Sequence, residues 1–196
     1  MDFDPFKYPI NKLNRIEPEK GKVLVSEPFM VDQYFKRSVV YLTEHNEEGT
    51  VGFMMNKSLD VQINEVLVDF PKIDAPVYLG GPVQPQNLFY LHTKGNLLTD
   101  SIKVEEGVYW NGNFEQLKEA IKQKLITKKD IRFFLGYSGW DAEQLKDELR
   151  ENSWFVRSVP HKRLFSKPED LWKLILKDSG SRISPMADFP EDPQLN

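Results

Sequence analysis

The residues whose types and spacing suggest chemistry sit in one stretch, Ile131 to Phe155, which reads IRFFLGYSGWDAEQLKDELRENSWF. Within it Gly136-Tyr137-Ser138-Gly139-Trp140 invites comparison with the G-x-S-x-G nucleophile elbow. The second glycine falls one position early, and Trp140 stands where an elbow needs a small residue against a close-packed helix. A serine hydrolase also needs a histidine and an acid. The chain offers His45, His92 and His161, and an enzymatic reading draws on His45, Asn56 and Ser138. The bland alternative, a glycine-permitted turn with Ser138 bonded to backbone, is favoured, and no catalytic residue is assigned.

Other chemistries find less. His45 lies among Glu44, Glu47 and Glu48, without the ligand spacing of a zinc site, and no metal or cofactor is assigned. Gly80-Gly81-Pro82 follows a short apolar run but lacks the downstream glycine and helix of a dinucleotide fingerprint. No G-x-x-x-x-G-K-[ST] occurs. The double glycine suits close backbone approach, with packing favoured over a ligand. Tyr137, Trp140 and Trp154 lie near the glycines; aromatics usually mean core, and the alternative is one wall of a pocket. The candidate cleft is therefore His45, Asn56, Gly80, Gly81, Tyr137, Ser138, Gly139, Trp140 and Gln144.

The elements that must position these residues follow from periodicity. Ile131–Leu135 is short, apolar and rich in β formers, and reads as a buried strand. Gly136 and Gly139 then bracket a tight turn, and Asp141 opens a helix with Gln144 three positions on. That arrangement presents helix-start amides to a ligand. Upstream, Lys22–Ser26, Ser38–Thr43 and Thr50–Asn56 read as strands, the last two as a hairpin, with a single helical turn at Val31–Phe35. Ile63–Phe70 has helical spacing ended by Pro71; Val77–Leu79 and Leu88–His92 are strands, and Ile102–Trp110 contains one more. Asn113 caps a helix whose stripe is Phe114, Leu117, Ile121 and Leu125. A strand at Trp154–Val159 and a helix capped by Ser166, with Pro168 in its first turn and Leu171, Trp172 and Ile175 inward, complete the body. Strands cluster first and helices intervene later, which favours α+β over a doubly wound parallel sheet.

At 196 residues the chain suits one domain. Residues 1–20 read as an arm interrupted by prolines, 21–180 as the body, and 181–196, proline-rich and acidic, as an extended or disordered tail. There are no cysteines, so disulfides and thiolate chemistry are excluded. No apolar run is long enough to span a bilayer and the start has no signal-peptide core, so the expected location is the cytoplasm, with no membrane partner. The net charge of −4 disfavours direct nucleic-acid contact, and the lysines between Lys118 and Arg132 read as a solvated helix face.

Three blocks then stand together: GKVLVSEPFMVDQYFKRSVVYLTEHNEEGTVGFMMNKSL, YLGGPVQPQNLFYLHT and LGYSGWDAEQLKDELRENSWF. Their wording, order and spacing resemble the AlgH/YqgE family of bacterial proteins, from about Gly21 to about Gly180. Ser26 and Ser138 stand where alanine is common in that family. The resemblance implies a single α+β domain with a mixed, strongly curved sheet forming a partial barrel flanked by helices. It also carries, through the family name, a role in transcriptional regulation. It transfers no catalytic or DNA-contacting residue. The leading expectation is a non-enzymatic regulatory or ligand-binding module whose partner is a small molecule or protein not yet identified. A DNA-associated regulator and a hydrolase using His45, Asn56 and Ser138 are the rivals.

Overall fold

A computed structural model describes residues 10–14, 16–166 and 171–191. Its strands, in chain order, are β1 (Val23–Ser26), β2 (Val39–Asn46), β3 (Gly49–Met54), β4 (Ser58–Gln62), β5 (Pro76–Leu79), β6 (Val83–His92), β7 (Ile102–Glu105), β8 (Val108–Trp110), β9 (Ile131–Asp141) and β10 (Trp154–Arg157). The helices are α1 (Ile63–Val66), α2 (Phe114–Lys122), α3 (Gln144–Arg150), α4 (His161–Leu164) and α5 (Leu171–Lys177). The result is a mixed α+β architecture on one open sheet, ordered β10-β1-β2-β3-β9-β6-β8-β7, with β5 also on β9 and β4 on β5.

Strand β9 is the spine, and it corrects the sequence reading. It runs unbroken for 11 residues, Ile131 to Asp141, so the glycine segment is strand rather than tight turn, and α3 starts at Gln144 rather than at Asp141. The physical reason lies in its neighbours. One edge of β9 pairs first with β5, in parallel, at Phe133–Leu135, and then with β3, antiparallel, at Ser138–Asp141. The other edge pairs with β6. The chain leaving β5 must therefore cross over β9 to reach β6, and it does so at Gly80-Gly81. A Cβ on Gly80 would lie 2.1 Å from the Gly136 carbonyl oxygen, and one on Gly81 2.3 Å from the Tyr137 carbonyl. The double glycine is there for this close approach. Below the crossing Gly136 takes φ +68°, an angle that side chains resist.

That bulge-like residue also resets which way β9 faces. Side chains alternate across a strand, so a one-residue irregularity exchanges the two faces. Phe134 lies in the largest core, Tyr137 packs against that same core, and Trp140 lies in a different one. Three cores result. The inner one joins Val25, Tyr41, Phe53, Phe134 and Phe155 and is covered by Leu171, Trp172 and Ile175 of α5. A second, around Phe133 and Tyr90, is covered by Leu117 and Ile121 of α2. The third, with Leu24, Leu42, Met54, Trp140 and Trp154, receives Leu145 of α3.

Other differences have local causes. α1 stops at Val66 because Asn64 donates to the carbonyls of Phe70 and Pro71 and accepts from Ile73 N–H, wrapping the next loop around itself. Ile102–Trp110 holds two strands, β7 and β8, paired antiparallel. Phe114 and Leu125 are 36% and 49% exposed, so the buried stripe of α2 is narrower than its spacing suggested. The expected cap of the last helix reaches residues 167–170, outside the described residues. Residues 181–191 are not a loose tail: Ser184–Asp188 is a 3-10 turn, and Ile183, Met186 and Ala187 are buried in the inner core. Proline and acid content hid a small apolar set that one tight turn gathers onto α5. Residues 192–196 lie outside the described residues, as do 1–9 of the arm; its last part docks, with Ile10 buried and Asn14 bonded to the edge of β10 at Trp154 and Val156.

Candidate functional site

The candidate cleft of the sequence reading divides into separate places. His45 is exposed near the tip of the β2–β3 hairpin, bonded to Thr50 Oγ1 at 2.7 Å. Asn56 lies past the other end of that hairpin, where it accepts from Val39 N–H at 2.9 Å and donates to the Arg37 carbonyl at 2.8 Å. Roughly 3.3 Å per residue along the strands separates them by more than ~15 Å. Ser138 is fully buried between the two, its hydroxyl donating to the Gly80 carbonyl at 2.9 Å. The hydrolase reading through His45, Asn56 and Ser138 therefore fails on geometry: no histidine reaches this serine. Gly80 and Gly81 are spent on the crossing, and Tyr137 turns inward against Phe89 at 5.7 Å.

Gly139, Trp140 and Gln144 do come together. They line a cavity of about 730 Å³ with Glu27, Phe29, Phe35, Glu148, Trp154 and Phe189, among others. Each wall has a simple origin. The end of β9 brings Gly139 and Trp140, turned outward by the reset at Gly136. α3 brings Gln144 and Glu148, four residues apart and so on one helical face. The loop between β1 and β2 folds back over the opening: Glu27 accepts from Phe29 N–H at 2.8 Å, and Asp32 from Tyr34 N–H at 2.8 Å. The 3-10 turn supplies Met186 and the residue after it, Phe189, which stacks on Phe29 at 5.6 Å.

Glu148 organises the floor. One carboxylate oxygen accepts both indole N–H groups, from Trp154 at 2.7 Å and Trp140 at 2.9 Å. The other accepts the Gln144 amide at 3.0 Å. Buried indoles need such a partner. Phe35 then stacks on Trp140 at 5.8 Å and meets Trp154 edge-on at 5.4 Å. Trp140 is only 4% exposed, so it is core as well as wall. Glu27 is half-buried, and burial pushes its carboxyl pKa up, against the opposing effect of the Phe29 N–H.

A second cavity of about 710 Å³ lies on the other side of α3 and takes in His45, Glu47, Glu143, Lys146 and Arg150. Among the described residues no cluster of three or more histidine, aspartate or glutamate side chains is placed to hold a metal ion. None of the described helices is long and apolar enough to cross a membrane.

A family model described as AlgH-like matches residues 23–184. The chain belongs to the AlgH-like family. It is 41% identical over 198 residues to a UPF0301 protein of Bacteroides thetaiotaomicron, covering 100% of this chain and 99% of that one. It is likewise 41% identical over 179 residues to a UPF0301 protein of Cytophaga hutchinsonii, covering 90% and 98%. Among solved structures, the solution structure of AlgH from Pseudomonas aeruginosa is similar with TM-score 0.69 at 26% identity, covering 90% of this chain and 98% of that one. A crystal structure of a protein from Corynebacterium diphtheriae shares the fold with TM-score 0.74 at 24% identity, covering 92% and 97%.

Sequence reasoning missed most of this pocket. Glu27, Asp32, Glu148, Glu151, Met186 and Phe189 were not singled out. Glu148 had a signal: it stands four after Gln144 on a helix flanked by two tryptophans, each of which needs an acceptor once buried. Glu27 and Asp32 had none, because nothing local announces that the loop between β1 and β2 folds over the end of β9.

Proposed function

We infer that this AlgH-like chain is a non-enzymatic ligand-binding module of the cytoplasm, and that its site is the cavity between the β1–β2 loop, the end of β9 and α3. The observation that carries this reading is a concave site with fixed aromatic walls and a hydrogen-bonded floor, of a size that suits a small ligand. The described residues lining it include no histidine, and Ser153 is the one hydroxyl nucleophile, so no serine–histidine pair is assembled there. A regulatory role is supported by construction: loop 27–35 and the 3-10 turn both form walls, so occupancy bears on the packing of a segment remote in sequence. Direct DNA contact is disfavoured by the net charge of −4 and by the acidic lining.

A fragment screen balanced in charge, followed by amide and indole NMR, tests this. The expected result is hits that shift the Gly139 amide and the Trp140 and Trp154 indole signals together. Hits confined to other surfaces, or to the His45 side of α3, would remove the reading.

A further inference from the structure

The electrostatics of the pocket narrow its ligand, on the reading that it is a binding site. Its lining carries Glu27, Asp32, Glu148 and Glu151, and among the described lining residues there is no lysine, arginine or histidine. Those carboxylates also take part in no ion pair among the described residues, in contrast with the other side of the same helix. There Glu143 pairs with Lys146 at 2.8 Å and Asp147 with Arg150 at 2.9 Å. On α3, therefore, Glu143 and Asp147 are paired with bases, while Glu148 on the pocket side has none among the described residues.

We propose that the pocket takes an organic cation, an alkylammonium or guanidinium group carried on an apolar body. Glu148 accepts from three neutral donors and meets no cation among the described residues, so these leave its charge uncompensated. Glu27 has one backbone N–H at 2.8 Å as its described partner, and partial burial pushes its pKa up. A cationic head between these groups supplies a counter-charge. The apolar body meets Phe29, Met30, Phe35 and Trp140, and an ammonium near such rings gains further from their electron-rich faces. An anion of the same shape meets like charge on two sides. The lining includes Val31, 88% exposed, apolar surface that a bound molecule would cover.

The test uses three probes of one shape on the full chain at low ionic strength: phenethylamine, 3-phenylpropionamide and 3-phenylpropionate. Tryptophan fluorescence reads affinity and NMR reads location. The amine should bind at the pocket at least tenfold more tightly than the carboxylate. It should lose fivefold or more in a Glu27→Gln/Glu151→Gln variant, which leaves the acceptor of both indoles intact, and lose affinity as salt is added. If the amide or carboxylate binds there as well as the amine, or if the variant binds the amine unchanged, the cation assignment is overturned while the pocket stands as a site. If none of the three shifts the pocket signals, the assignment and the site reading both fall. A capped Ala-Lys-Ala peptide binding more tightly than butylamine would identify the cation as a side chain of a protein partner, and the reverse as a free amine.

Discussion

Toward its two ends β9 receives a helix on the outer face of the sheet, and the two wings treat space and charge in opposite ways. Under α2 the packing is closed: Leu117, Ala120 and Ile121 meet Phe133 and Tyr90. Two acids beside it are paired with lysines, Glu115 with Lys118 at 2.6 Å and Asp130 with Lys94 at 3.3 Å. The one buried histidine there, His92, bonds the Asn111 carbonyl at 2.8 Å through Nε2 and takes the Lys94 N–H at 3.3 Å through Nδ1. Under α3 a cavity stays open, and its acids form no ion pair among the described residues. A closed wing leaves no space for a ligand; a wing with an open, acid-lined cavity is where one can bind. Stability and binding are therefore expected to separate along β9.

The largest effect should come from the point where the wings join. Gly136→Val places a β-branched residue at φ +68°, with its Cβ 2.5 Å from the Gly81 carbonyl oxygen and 2.8 Å from that of Val83. A loss of about 4 kcal/mol or more is expected in denaturant unfolding. Gly139→Val should cost far less, since its nearest neighbour is the Tyr137 ring at 3.1 Å, which can give way. Equal costs would mean that the reset of β9 does not depend on Gly136.

Next come the shared walls. Trp140 was a candidate for a merely lining residue, but at 4% exposure and bonded to Glu148 its loss should match that of a closed-wing aromatic. Trp140→Ala and Phe133→Ala are both expected to cost about 3–5 kcal/mol. A cost for Trp140→Ala near ~1 kcal/mol would sharpen the contrast, because the aromatic wall would then be dispensable to the fold. Met186→Ala should cost about 2–4 kcal/mol, since the side chain is 2% exposed; a melting temperature unchanged by it would return residues 181–191 to the status of a loose tail.

What was legible in the sequence follows the same division. The hairpin of β2 and β3, the capped start of α2 at Asn113 and the inward face of α5 came from local patterns, and the structure keeps them, with Asn113 accepting from Gln116 N–H at 3.0 Å. The double glycine was legible as close packing, though not as the place where the chain crosses β9. The centre was misread because Gly136 and Gly139 look like punctuation, and a strand whose faces exchange midway has neither a period of two nor one of 3.6. The site was legible only where it lies within one segment, at Gly139, Trp140 and Gln144. Two of its acids, Glu27 and Asp32, come from a distant loop, and the tail that closes it buries three residues hidden among prolines and charges.

The wings should also differ in their response to acid. Burial pushes the His92 pKa down. As the pH falls below about 6.5 the unfolded chain takes up the proton first, so the stability of the α2 wing is complete above that value and declines below it, by up to about 1.4 kcal/mol per pH unit. His92 ring signals followed by NMR should show its midpoint shifted below the ordinary histidine value. Titration at the ordinary value would mean that this wing is not closed.

Glu27 runs the other way, and with the smallest effect. Its pKa is raised in the folded chain, so the folded state favours the protonated form, and the benefit present below about pH 4.3 is lost as the pH rises through the folded value. At neutral pH the ionised carboxylate is thus a modest cost to the fold. Glu27→Gln keeps an acceptor for Phe29 N–H and removes the charge, so it should stabilise, by about 0.5 kcal/mol or 1–2 °C in melting temperature. Glu115→Gln on α2, which gives up a surface pair, should do the opposite by a few tenths of a kcal/mol. A carboxylate that weakens its own fold and has no cationic partner among the described residues is what a binding group costs when its ligand is away. Destabilisation by Glu27→Gln, of the same sign as Glu115→Gln, would make the acids of the two wings alike and remove the electrostatic case for a site at α3.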